Sequence, residues 1–140
     1  MLRLTRRYRF SASHRLHAAA LGDDENQGLY GKCNNPWGHG HDYALEVSVA
    51  GPLDSDTGQV VNPAALDQLV RETVIEPLDH RDLNRDVPTF AETVPTSENL
   101  AREIERRLAA AWPARFQAGK PALAGIRLLE TRRNIFEIER

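Results

Sequence analysis

The chain has 140 residues and a formal net charge of −2, a length that fits one domain, residues 1–140, and leaves little room for a second. That charge gives no support to general binding of nucleic acid or of a membrane surface, although a small anion, which reads local charge, remains a candidate ligand. There is one cysteine, Cys33, so no internal disulfide can form; residues 1–7 hold no apolar core of signal-peptide length, and no run nears a membrane span, so a soluble, cytoplasmic protein is expected.

Residues 2–14 alternate with a period of two. Leu2, Leu4, Tyr8, Phe10 and Ala12 share one parity, and mostly Arg, Thr and Ser share the other, with Arg6 the exception. This predicts a strand with one buried face that ends with His14 on the apolar parity. Residues 20–36, rich in Gly, Asp, Asn and Pro, read as a long loop. A second strand follows over residues 39–50, where His39, His41, Tyr43, Leu45, Val47 and Val49 share a face. Asn62-Pro63 is a helix start, with a capping side chain followed by proline at the first helical position. Apolar residues then recur at helical spacing until Glu76-Pro77 ends or bends the helix. Pro95-Thr96-Ser97-Glu98-Asn99 opens a second helix, which Trp112-Pro113 is expected to close. Ile126, Leu128 and Glu130, then Phe136 and Ile138, suggest a hairpin connected through residues 131–134. The order ββααββ predicts an α+β fold, a four-stranded antiparallel sheet with two helices packed on one face.

Chemistry-bearing residues collect around the predicted strands. His39 and His41, two apart on a strand, point to one side. His14 closes the other strand on its apolar face, so antiparallel pairing would let three imidazoles converge. Three neutral imidazoles suit zinc, with a fourth position open for water or substrate. A His-x-His pair alone is equally compatible with ordinary solvated histidines, and His17 competes for the third place. Cys33 lies in a polar loop beside Lys32 and near the candidate metal, where a lowered pKa would make its thiolate a base or nucleophile. It could instead be an incidental thiol, or a fourth ligand that closes the metal site. His80 follows Asp79 in a polar stretch, a pairing that adjacency in sequence does not establish. Glu130 falls on the apolar parity of its strand, where a carboxylate is costly unless paired. It could accept two hydrogen bonds from an amidine-like ring edge, or form an ion pair with a nearby arginine.

Taken together, Phe10-Ser11-Ala12-Ser13-His14-Arg15-Leu16, Gly31-Lys32-Cys33-Asn34-Asn35-Pro36-Trp37-Gly38-His39-Gly40-His41, Pro77-Leu78-Asp79-His80, Asp86-Val87-Pro88, Thr96-Ser97-Glu98-Asn99 and Glu130-Thr131 resemble the 6-pyruvoyltetrahydropterin synthase family, in family order over nearly the whole chain. The resemblance implies Zn2+ held by His14, His39 and His41. It implies a catalytic triad of Cys33, Asp79 and His80, a pterin anchor in Glu130, and a further pterin contact at Thr96. It also implies a T-fold in which trimers close a barrel, two trimers stack as a hexamer, and active sites lie between subunits. The expected substrate is a dihydropterin triphosphate. Two activities share this scaffold, one giving a pyruvoyl and one a carboxy tetrahydropterin, the latter serving queuosine synthesis. Five residues, 34–38, separate Cys33 from His39, a spacing that resembles the pyruvoyl branch rather than the shorter spacer of bacterial carboxy enzymes. Trp37 departs from the family's usual small polar residue. A third branch carries glutamate in place of this cysteine, and Cys33 argues against it.

Overall fold

The computed structural model describes residues 1–117 and 120–140. Strand β1 (Leu2–His14) pairs antiparallel with β2 (His39–Gly51) along its whole length, from Leu2 opposite Gly51 to His14 opposite His39. Strand β4 (Ala122–Leu129) pairs antiparallel with β2 and with β5 (Ile135–Glu139). A two-residue strand, β3 (Arg81–Asp82), pairs parallel with Ala12 and Ser13 of β1. The sheet is therefore five-stranded and mixed, in the order β3-β1-β2-β4-β5. This corrects the expectation of four antiparallel strands; two residues are too few to show an alternation in sequence. The α+β class stands.

The other departures have local causes. The expected loop at residues 20–36 contains helix α1 (Asp23–Tyr30) and a 3-10 turn, Gly31–Asn34. Acidic Asp23, Asp24 and Glu25 occupy the first turn of α1, where the helix dipole favours negative charge. The helix has almost no apolar stripe, so periodicity could not reveal it. Its internal anchor is polar: Asn26 is fully buried, accepts from the Ala18 N–H at 2.7 Å, and turns its amide nitrogen to the carbonyls of Ala18, Leu21 and Gly22.

Helix α2 (Pro63–Val70) starts as expected, with the Asn62 side chain accepting from the N–H groups of Ala64 and Ala65. It does not end before Pro77. A wide π turn over Arg71–Ile75 carries it into α3 (Glu76–Leu78), an irregularity of the kind that absorbs a proline within a helix. A short helix, α4 (Leu83–Asp86), is capped by the Asp82 carboxylate. Helix α5 (Ser97–Arg115) is capped by the Thr96 hydroxyl and runs past Trp112, with Pro113 inside its last turn. Proline removes one donor there, but the Phe116 N–H still closes on the Trp112 carbonyl at 2.8 Å. Among the described residues no helix is long and apolar enough to cross a membrane.

Helices α2 and α5 cover one face of the sheet. Phe10, Tyr43, Leu45, Val47, Ile126 and Leu128 from the strands meet Leu66, Val70, Leu100, Ile104 and Leu108 from the helices, all nearly solvent-free. The opposite face is polar and cross-linked. Thr5 meets Ser48, Arg7 and Arg127 both reach Glu46, and Ser11 bonds Asp42. Such cross-strand pairs reinforce the register that the apolar face already requires. At the β4 kink, Gly125 has φ 154°, and a Cβ there would lie 2.6 Å from the Ile138 carbonyl oxygen, so a side chain would force the hairpin apart.

Two predictions follow from this packing. Replacing the buried Asn26 with Ala strips partners from the Ala18 N–H and from the carbonyls of Leu21 and Gly22, and should cost about 2 kcal/mol in urea unfolding. The second concerns Glu103, a buried carboxylate on α5. Burial pushes its carboxyl up, but hydrogen bonds from Arg106 and Thr89 outweigh that and hold it below its ordinary value of 4.5. A depressed folded-state pKa contributes stability above the unfolded value, and that contribution is lost as pH falls through the folded value. Wild-type Tm should therefore fall more steeply below about pH 5 than that of Glu103→Gln; parallel curves would show that Glu103 is not the group responsible.

Candidate metal centre and active site

The β1–β2 register decides where the histidines go. His14 faces His39 across the ladder, and His41 lies opposite Ala12. The ring of His41 sits 4.9 Å from that of His14 and 4.7 Å from that of His39, edge-on to both. His14 is 1% exposed. Its Nδ1 lies 2.9 Å from the carbonyl oxygen of Pro95. A carbonyl can only accept, so Nδ1 carries the proton and Nε2 presents a lone pair. That Nε2 is buried with no hydrogen-bond partner among the described residues. Burial, then the neighbouring His41, push the His14 pKa down, and burial likewise lowers that of His41. Both rings are thus held in the neutral form that metal ligation needs.

Around that lone pair stand the thiol of Cys33, a nitrogen of His41 and a carboxylate oxygen of Glu130; the four donor atoms lie within 4.8 Å of one another. The Cys33 Sγ is 3.7 Å from His41 Nε2, and Glu130 Oε1 is 3.2 Å from the same nitrogen. An orphaned buried imidazole nitrogen of fixed tautomer, facing a thiol, a second imidazole and a carboxylate, fits a divalent metal by donor chemistry. His39 stands beside this group, but its nitrogens are not among the four. Glu130, expected to anchor a ring, is placed within the possible ligand set just past the end of β4.

Burial pushes the Cys33 thiol pKa up and the Glu130 carboxylate adds to the rise. The sulfur turns into the cluster, toward that negative charge. The last members of the expected site lie elsewhere. The Asp79 carboxylate accepts from the Ser11 N–H at 2.8 Å, on the outer edge of β1. His80 Nδ1 lies 3.1 Å from Asp79 Oδ2, so the dyad that adjacency left open does form, with the His80 side chain 82% exposed. His80 holds φ 58° while its N–H donates to the Ser11 carbonyl at 2.6 Å. A left-handed non-glycine residue is strained and persists only where its surroundings fix it. This dyad does not enter the His14–Cys33–His41–Glu130 group of its own chain.

Thr96 uses its hydroxyl to cap α5. Two further side chains border this region without a sequence motif to mark them. The Tyr43 hydroxyl and the Ser97 hydroxyl are buried without a hydrogen-bond partner among the described residues. Burial raises the Tyr43 phenol, and Glu130 raises it further; its ring lies 5.7 Å from that of His41, beside the cluster. The only signal for Tyr43 in the sequence was its position two residues after His41, on the same strand face.

Fold and site define an α+β protein whose sheet carries a histidine, thiol and carboxylate centre of metal-binding composition. Residues 3–140 match the family model described as 6-pyruvoyl tetrahydropterin synthase. The chain is 48% identical over 132 residues to a 6-pyruvoyl tetrahydrobiopterin synthase of Poecilia reticulata, covering 94% of this chain and 86% of that one. To the Homo sapiens protein of the same name it is 52% identical over 98 residues, covering 70% and 68%. Its structure superposes on Caenorhabditis elegans 6-pyruvoyl tetrahydropterin synthase with a TM-score of 0.87 at 36% identity, covering 99% of this chain and 95% of that one. The chain belongs to the 6-pyruvoyl tetrahydropterin synthase family.

The His14 geometry predicts a specific pattern of metal binding. His14→Ala should lose nearly all bound metal by atomic emission, whereas His17→Ala should retain it, because the His17 Nδ1 faces Asn34 at 3.2 Å instead of the cluster. Equal metal content in the two variants would remove His14 from the ligand set.

Proposed function

We propose that the protein is a zinc-dependent lyase that converts 7,8-dihydroneopterin triphosphate to 6-pyruvoyltetrahydropterin with loss of triphosphate, its 140 residues acting as one domain in the cytoplasm. The observation that carries this reading is the buried lone pair of His14 Nε2 facing the Cys33 thiol and the Glu130 carboxylate. The names of the relatives, 6-pyruvoyl tetrahydrobiopterin synthase at 48% and 52% identity, favour the pyruvoyl over the carboxy product.

His14, His39 and His41 hold the zinc in this reading. Their common face and the register across the ladder support the set. When bound, zinc supplies Lewis-acid chemistry, lowering the pKa of the side-chain hydroxyls and offsetting negative charge that develops on them. Glu130 fixes the pterin ring by accepting two N–H bonds, and Thr96 lies at the start of α5, where the ring's other edge would rest. Cys33 takes and returns the proton at the carbon next to the ring. His80, oriented through Nδ1 by Asp79, keeps Nε2 free to exchange a proton with the far end of the side chain. Loss of triphosphate and internal redox then leave the pyruvoyl group.

A single chain does not assemble this set, because the Asp79–His80 dyad stands on the β1 edge and is exposed. The outer edge of β1 over residues 2–10 and the outer edge of β5 have no partner strand among the described residues. Open edges are normally covered. We therefore read the working form as the T-fold assembly, with trimers closing a barrel and two trimers stacking as a hexamer, so that one copy's dyad serves its neighbour's centre.

Zinc-loaded protein incubated with 7,8-dihydroneopterin triphosphate should give 6-pyruvoyltetrahydropterin by mass spectrometry. A carboxy tetrahydropterin with acetaldehyde would move the protein to queuosine synthesis, and unchanged substrate would refute the reading. Cys33→Ala should lower kcat by at least about 100-fold at unchanged zinc content; full turnover would remove Cys33 from the proton transfer.

A further inference from the structure

We propose that Asn34 is a positioning residue for Cys33, acting through the strap of residues 15–17 that leaves β1 just after His14. The proposal rests on the reading of Cys33 as the proton-transfer group. The strap is gripped on two sides. On one, Asn84 accepts from the Arg15 N–H at 2.7 Å and donates to the Arg15 carbonyl at 3.0 Å. On the other, the Leu16 N–H donates to the Cys33 carbonyl at 2.7 Å, and Asn34 Nδ2 donates to the Leu16 carbonyl at 2.7 Å.

The second grip imitates a strand pair. Leu16 gives its N–H to the residue that carries the thiol and receives a donor from the next residue, but that donor is a side-chain amide instead of a backbone N–H. The same Asn34 nitrogen meets His17 Nδ1 at 3.2 Å, and the Asn34 carbonyl accepts from Arg15 Nε at 3.2 Å. The Cys33 segment is thereby tied to the chain that issues from a metal-site histidine, and Leu16 itself is buried. Asn34 is not one of the four clustered donors. Its Nδ2 and its backbone carbonyl are spent on the strap, so its influence on the thiol runs through the backbone of Cys33.

The geometry requires a donor. Alanine at position 34 would leave the Leu16 carbonyl without its side-chain donor and would leave the Leu16 N–H to Cys33 carbonyl bond without the bond beside it. Aspartate has the same shape but can only accept, and would set a carboxylate against that carbonyl. The loop would then be free to move its sulfur, and a displacement of about 1 Å in a reacting group costs up to about 100-fold in rate.

Asn34→Ala and Asn34→Asp should lower kcat between about 10-fold and 100-fold, with KM changed by less than about twofold and metal content equal to wild type. Cys33 is the only thiol in the chain, so iodoacetamide labelling reads its exposure directly. In metal-free protein, below the Tm of each variant, labelling should be several times faster in both variants than in wild type. Asn84→Ala, which loosens the strap from its other side, should shift kcat and labelling in the same direction by less, and it stands in if the Asn34 variants do not fold. A lowered Tm with wild-type labelling and wild-type kcat would overturn the proposal and leave Asn34 a purely structural residue. If wild-type protein does not turn over the pterin, the proposed function fails, and the labelling rates alone decide whether Asn34 positions the thiol.

Discussion

The antiparallel register between β1 and β2 is the constraint on which the site depends. It sets His14 opposite His39 and brings the His41 ring against that of His14. A slip by one residue would turn one strand's entire apolar set, and its histidines, to the other face. Both faces oppose such a slip. The helix side would lose the packing of Phe10, Tyr43, Leu45 and Val47, and the other side would break the Thr5–Ser48 and Arg7–Glu46 pairs. Register, core and donor geometry are therefore one specification.

Helix α5 is coupled to that specification by a single carbonyl. Pro95 accepts from His14 Nδ1, Thr96 caps the helix, and Ser97 buries its hydroxyl. The ring that would bind metal and the segment that begins α5 thus hold each other in place. Hydrogen bonding on one imidazole nitrogen fixes the tautomer and direction of the other.

Several features of this site work against stability. His14 leaves a buried lone pair unpaired, Tyr43 and Ser97 leave hydroxyls unpaired, and His80 adopts a left-handed backbone. Each is costly in a folded chain. They lie in or beside the candidate centre or the dyad, whereas the apolar contacts between sheet and helices are conventional. That separation is what a site built for ligands would produce, because groups arranged for a partner are unsatisfied until it arrives.

Much of this was legible in the sequence because it is periodic or local. Alternation located β1, β2 and the β4–β5 hairpin, and Asn62-Pro63 and Thr96 marked helix starts through caps that depend only on neighbours. Parity alone put His14, His39, His41 and Glu130 on inward faces. What depends on contacts across the chain was not legible. Strand β3 exists only because β1 lies beside it, and helix α1, anchored locally by a buried asparagine, carries no apolar stripe to reveal it. Folding buries the Cys33 thiol and turns it toward Glu130, and both push its pKa up, a direction no neighbour in sequence could signal. Likewise, sequence paired Asp79 with His80, but only the tertiary structure set that pair on the edge of β1, because its position comes from the Ser11 backbone, 68 residues away. Residue order therefore determined the elements and the donor types, whereas long-range hydrogen bonds decided which donors meet.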